Sequence, residues 1–170
     1  MTAVGDLSLF ALDPDRRFAI SVAQRLGVSL APLEDRVFED GEYKIRPLDS
    51  VRGHDVYVLS SLYHGEGASS ADRLLKMLFL IGAARDAGAR RITAVTPYLC
   101  FARKDRRTKP RDPVTTRYVA QLFEAMRIDG LIGIDIHNLA AFQNAFRCET
   151  IHLDAQALFA QRIVEAIGDA

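Results

Sequence analysis

The sequence predicts an α/β protein, a parallel sheet with helices on both of its faces. Three observations lead there. Short apolar runs bounded by polar turns read as buried strands, and amphipathic segments between them read as helices. The two kinds alternate from end to end, the pattern that places helices on the faces of a parallel sheet. No repeat, low-complexity tract or linker divides the 170 residues, so one domain over residues 1–170 is expected.

The elements follow in order. "LSLFAL" (residues 7–12) reads as a buried strand, and "DRRFAISVAQRLG" (15–27) as a helix closed by Gly27. "FEDGE" (38–42) looks like a hairpin turn, with Asp40 and Gly41 as its turn signal, and leads into "EYKIRP". "DVYVLSS" (55–61) is strand-like. Ser69 and Asp72 have the spacing of a capping box for a helix running to about Ala87. From Leu74 to Ala84 that helix is apolar nearly all round, Lys76 excepted, which suits deep burial or a subunit contact. "RITAVTPYL" (91–99) is again a strand. Asp112 and Pro113 supply an N-cap and a first-turn proline for a helix that gathers Tyr118, Val119, Leu122, Phe123 and Met126 on one face. "LIGIDIH" (131–137) is a third clear strand, "ETIHLD" a possible short one, and "AQALFAQRIVEAIG" a last helix.

Composition excludes several functions. The 22 basic and 22 acidic side chains cancel, which argues against a surface built to coat nucleic acid or membrane. No apolar run reaches the roughly eighteen residues of a membrane span, and the N-terminus lacks the features of a secretory signal. A cytoplasmic protein is expected, with Cys100 and Cys148 as buried free thiols.

Against that neutrality, six of the nine residues from Arg103 to Arg111 are basic. The strand over 91–99 feeds this loop directly, and ligands of parallel α/β sheets gather outside the carboxyl ends of the strands. Asp135 and His137 end the strand over 131–137, two residues apart and hence on the same side of it. If the two strands are neighbours, a carboxylate and an imidazole face the cationic loop across one crevice. A phosphate-rich ligand with Mg²⁺ suits such a place, since arginine forks grip phosphate and magnesium takes oxygen ligands. The bland alternative is a solvated turn rich in lysine, arginine and proline. His54, His64 and His152 read as packed or hydrogen-bonded side chains, and "GEGASS" lacks the lysine of a Walker loop.

Taken together, "FEDGE", "SVRGHDVYVLSS", "RRITAVTPYLCFARKDRR" and "GIDIH" resemble the amino-terminal half of ribose-phosphate pyrophosphokinases, in order and spacing, from about Val37 to about Ala155. The resemblance implies a phosphoribosyltransferase-like α/β fold and transfer of diphosphate from ATP to ribose 5-phosphate with Mg²⁺. It implies that Arg103 and Asp105 grip ATP, with Lys104, Arg106 and Arg107 in the same loop, and that His137, with Asp135 beside it, meets the magnesium–ATP complex. It also implies that Phe38, Asp40 and Glu42 contact adenine in a neighbouring subunit's site, so a dimer or hexamer is expected. Arg52 falls where many members place a regulatory phosphate.

The chain departs from the family's pattern in "RLLKM" (73–77), in the segment "NLAAFQNAFR" after His137 and within the basic loop. Lys104 stands for its glutamine, Arg73 and Lys76 for an asparagine and an acid, and Asn138 for a small residue. No paired acids follow a strand and no Thr-Gly-Gly-Thr-like loop occurs, so the ribose-phosphate-binding half is expected to be absent and the chain inactive alone. A regulatory or scaffold homologue without catalysis, and a polyanion-binding module using the loop alone, are the other readings of the same residues.

Overall fold

A computed structural model describes residues 6–65 and 67–168; the reading of the extreme N-terminus (1–5) lies outside them. The chain runs β1 (Leu7–Ala11), α1 (Arg17–Leu26), β2 (Leu33–Val37), β3 (Tyr43–Pro47), β4 (Asp55–Leu59), α2 (Ser70–Asp86), β5 (Arg91–Thr96), α3 (Thr115–Ala125), β6 (Gly130–Ile134), α4 (Leu139–Ala145), β7 (Glu149–Leu153) and α5 (Gln156–Gly168). Five strands form one parallel sheet in the order β1-β4-β5-β6-β7, while β2 and β3 pair as an antiparallel hairpin.

An isolated parallel bridge between Leu9 and Leu30 extends the sheet outward past β1. The chain therefore moves one way from β1 to residue 30, then returns to β4 on the other side. Right-handed crossovers place helices on opposite faces when the direction reverses. Accordingly, α1 packs Ala19 and Ala23 against Leu9, Ala11 and Leu59. The main core, on the other face, joins α2, α3 and α4 through Met77, Leu80, Ile81, Phe123 and Phe142 to Phe10, Val58, Ile92, Ala94 and Leu131. The α/β architecture with helices on both faces is the one the sequence predicts.

Local signals explain most element ends. Gly27 takes the left-handed conformation (φ 69°) that closes α1 with bonds to Ala23 and Gln24. The capping box of α2 is complete: the Ser69 hydroxyl accepts from Asp72 N–H at 3.1 Å, and the Asp72 carboxylate accepts from Ser69 N–H at 2.9 Å. Leu74, Met77, Leu78, Leu80, Ile81 and Ala84 of α2 are buried. Leu75 and Phe79 stay exposed at its outer face, where Phe79 meets Tyr43 of β3 at 5.7 Å. Lys76 donates to Asp35 of β2 at 2.8 Å and lies 5.3 Å from the centre of the Tyr43 ring, so the hairpin is pinned to α2.

Several expectations need correction. Strand β2, "LEDRV", was not foreseen; three of its five residues are charged, and pairing with β3 rather than burial holds it. The strand predicted over 91–99 ends at Thr96, and that over 131–137 ends at Ile134. Asp112 does not cap α3, whose N-cap is Val114 without a side-chain bond. Asn138 caps the short α4 instead, accepting from Ala141 N–H at 3.1 Å. The last helix forms as α5 but buries none of its residues. Both cysteines are free: Cys100 is buried and Cys148 half-buried, and burial pushes their thiols up to about 12 and about 11. His54 shares a 2.8 Å hydrogen bond with Ser8, whereas Nε2 of His152 is buried without a partner among the described residues.

Candidate functional site

The adjacency assumed for the strands over 91–99 and 131–137 is real: β5 pairs with β6, from Thr93–Gly130 to Thr96–Gly133. Beyond β5 the backbone is anchored before it becomes cationic, because Leu99, Cys100 and Ala102 are buried. The first turn of α3 then closes the loop from behind. The Thr115 hydroxyl donates to the Phe101 carbonyl at 2.9 Å, and the buried Thr116 hydroxyl donates to the Ala102 carbonyl at 3.2 Å. Phe101 (φ 57°) and Arg111 (φ 68°) bracket the basic run in left-handed conformations that side-chain-bearing residues adopt only when their surroundings demand it.

Beyond β6 the strand alternation stops, because Asp135 is left-handed (φ 45°). Its placement beside His137 therefore comes from a turn and not from strand periodicity. The turn is tight: a Cβ at Gly133 would overlap the Ile136 side chain. Asp135 Oδ1 accepts from Ala155 N–H at 3.1 Å, which ties the end of β6 to the start of α5.

These two strand ends enclose a cleft of about 170 Å³ in which Arg103, Asp135 and His137 meet, walled by Tyr98 and Ile136. Three of the residues singled out from the sequence thus share one site. The others do not line it. Lys104 turns into its own loop and donates to Asp112 at 2.6 Å and to Thr108 at 3.1 Å. Asp112, missed as a loop residue, receives Lys104, Thr108 and Lys109 on one carboxylate oxygen. The Lys104 contact foremost, and then Thr108, hold its carboxyl far below the usual carboxylate range. Asp105 accepts from the Asn138 amide at 2.6 Å. Arg107 donates to the Asp112 carbonyl at 3.2 Å. The Arg103 and Arg106 guanidinium groups make no hydrogen bond or ion pair with the described residues.

Phe38, Asp40 and Glu42 sit on the hairpin, apart from the cleft. Phe38 N–H donates to the Glu42 carbonyl at 2.7 Å, and Asp40 accepts from Glu42 N–H at 3.0 Å around left-handed Gly41 (φ 86°). The Phe38 ring is 40 % exposed, with the Arg36 guanidinium 5.0 Å above it. At the base, Glu34 bonds Arg46 at 2.6 Å and Lys44 at 3.1 Å, and these two partners, Arg46 first, lower its carboxyl. A shallow concavity of about 750 Å³ opens over Arg36, Phe38, Asp40 and Glu42. The hairpin and the cleft share no lining residue. Arg52 lies just before β4, at the amino ends of the strands, packed over Gly88.

The cleft brings one guanidinium, one carboxylate and one imidazole together. Arg103 supplies planar donors matched to phosphate oxygens. Among the described residues no three His, Cys, Asp or Glu side chains gather into a metal cage. Of Asp135 and His137, the carboxylate is the oxygen donor that suits a magnesium ion bringing its own phosphate and water ligands. The His137 nitrogen is a less usual ligand for it.

The fold and cleft define a parallel α/β domain with a cationic loop at the carboxyl ends of adjacent strands. A family model described as the N-terminal domain of ribose phosphate pyrophosphokinase matches residues 7–126, and the chain belongs to that family. It is 35 % identical over 155 residues to ribose-phosphate pyrophosphokinase 1 of Streptococcus pyogenes, covering 91 % of this chain and 47 % of that protein. The protein of the same name in Streptococcus pneumoniae is 36 % identical over the same coverage. The crystal structure of phosphoribosylpyrophosphate synthetase from Mycobacterium smegmatis superimposes with a TM-score of 0.88 at 33 % identity, covering 96 % of this chain and 53 % of that one. The chain thus spans about half the length of the curated relatives it matches. No helix among the described residues is long and apolar enough to cross a membrane.

Proposed function

We propose that this chain is the ATP-binding half of a ribose-phosphate pyrophosphokinase. In that reading it presents the triphosphate of ATP for attack by ribose 5-phosphate, which a second half must supply. The observation that carries it is Arg103, a guanidinium without a partner among the described residues, lining the same cleft as His137. The cleft's 170 Å³ is smaller than the roughly 300 Å³ and upward of most small-molecule sites. That volume suits a phosphate group, and a nucleotide bound there would extend beyond it. The base therefore needs a second surface, and the exposed Phe38 ring flanked by Asp40 and Glu42 offers one from another copy of the chain. Homo-oligomerisation is thus part of the reading.

Bound magnesium supplies charge neutralisation to the phosphates. The chain's own residues do the rest. Arg103 holds phosphate oxygens in the cleft with Arg106 in the adjoining loop, Asp135 and His137 would hold the magnesium ion, and Ile136 and Tyr98 wall the cleft. Phosphoryl-type transfer is governed by such positioning and charge placement.

Calorimetric titration of Mg-ATP into the chain and into an Arg103→Ala variant tests the reading. Saturable binding lost in the variant is expected; equal binding by both refutes the assignment of the loop. A second reading, a scaffold without catalysis, draws on the exposed Leu75 and Phe79 beside the hairpin, which give an association surface independent of nucleotide. Co-purification with a full-length synthetase in the absence of any ATP affinity favours it.

A further inference from the structure

Two of the residues that depart from the family's pattern, Lys104 and Asn138, each end on a carboxylate of the basic loop. Lys104 closes residues 104–112 into a ring through Asp112, whose Oδ2 also accepts from Thr108 N–H at 3.0 Å, Thr108 Oγ1 at 2.8 Å and Lys109 N–H at 2.9 Å. Asn138 uses both ends of its amide. Its oxygen caps α4, and its NH₂ group donates to Asp105 at 2.6 Å, so the loop is tied to the residue that follows His137.

We propose that Lys104 and Asn138 are positioning residues, which hold the basic loop preformed against the His137 turn so that Arg103 and Arg106 face the anion. This rests on the loop being a nucleotide-phosphate grip. It reassigns Lys104 and Asp105 from contacts with ATP to fasteners of the loop. A loop of about ten polar residues must otherwise be ordered by the ligand itself, at the expense of affinity. Fastening it beforehand leaves the free guanidiniums in place at the moment of encounter. The two left-handed residues at its ends, Phe101 and Arg111, fit a loop whose shape is fixed by its contacts.

The experiment uses the whole chain and two readouts. Asn138→Asp keeps a good helix cap but sets a carboxylate against Asp105. The double variant Asp105→Asn with Asn138→Asp restores the hydrogen bond with donor and acceptor exchanged. Amide hydrogen exchange is followed over residues 103–112 without ligand, and Mg-ATP affinity is measured separately. In the single variant, exchange rises and affinity falls about tenfold, the effect of losing one charge-assisted hydrogen bond. In the double variant the exchange returns toward that of the parent. Unchanged exchange in the single variant overturns the clasp. Raised exchange with unaltered affinity overturns its positioning role. If the parent chain binds no Mg-ATP, the nucleotide reading falls, and the exchange arm still decides whether the clasp exists.

Discussion

Removing the carboxylate of Asp13 should unfold this protein more readily than any surface change. Asp13 follows β1 and stands where the chain's direction across the sheet reverses. Its Oδ1 accepts from Arg73 at 3.1 Å and from the Ser60 hydroxyl at 3.0 Å, while Oδ2 accepts from Ser61 N–H at 2.9 Å. Arg73 is held in turn by the Gly65 carbonyl at 2.9 Å. The two side chains are only 17 % and 10 % exposed. Asp13→Ala leaves a guanidinium, a hydroxyl and a backbone N–H without their acceptor at the wall of an open hollow lined by Asp13, Ser61 and Arg73. Breaking a buried pair from one side costs about 3–5 kcal/mol. Residual solvent at Asp13 puts this case near the lower end, about 3 kcal/mol, or roughly 6–12 °C in Tm for a domain of this size. Urea unfolding at constant m-value measures it. Replacing both charged partners with apolar side chains, Asp13→Leu with Arg73→Met, should recover the share of the loss due to the stranded guanidinium, while Ser60 and Ser61 still lack their acceptor. A single-variant loss below about 1 kcal/mol, the range of exposed ion pairs, would refute the reasoning. So would a double variant no more stable than the single.

Three further outcomes are expected. Ser69→Ala removes the side-chain acceptor of Asp72 N–H and should lower stability by about 1 kcal/mol in thermal denaturation; no change would mean that α2 does not need its cap. Lys76→Glu sets an acid against Asp35 and takes the cation from Tyr43, so the hairpin amides of β2 and β3 should exchange faster; equal exchange would detach the hairpin from that contact. Burial raises the Cys100 thiol to about 12, above its unfolded value near 8.5–9. The folded state therefore holds the thiol proton more tightly, and that contribution is complete below about pH 8.5 and is lost as pH rises toward 12. The stability difference between the parent and Cys100→Ala should narrow over that window, and a difference constant with pH would contradict it.

The sequence revealed those features whose causes are local. The short apolar runs became β1, β4, β5 and β6, and Ser69 with Asp72 and Gly27 marked helix ends that the structure keeps. What it hid depends on partners distant along the chain. Asp112 beside Pro113 has the form of an N-cap, but Lys104, eight residues earlier, takes its carboxylate first. β2 carries no apolar alternation and exists because β3 pairs with it. Asp135 and His137 were paired from strand periodicity, yet the strand ends at Ile134 and a left-handed turn brings them to the same cleft. Four of the departures from the family's pattern were legible only as differences. In the fold Arg73, Lys76, Lys104 and Asn138 each meet an aspartate, at Asp13, Asp35, Asp112 and Asp105.

The strand order has a consequence for how the chain is made. β1 must wait for β4, because Leu7 pairs with Asp55 across α1 and the whole hairpin. From β4 onward every strand pairs with the one synthesised just before it, in the order β4, β5, β6, β7. A chain emerging from the ribosome can thus lengthen its sheet one strand at a time, at a single growing edge, without reopening what has formed. Force-sensing arrest at successive chain lengths should register separate events as β5, β6 and β7 clear the exit tunnel. One late event alone would mean that the sheet closes only when complete. Until each strand arrives, the edge it will cover is open to the wrong partner, which makes the interval before β5 the hazardous one for a nascent chain whose β1–β4 pairing is already slow.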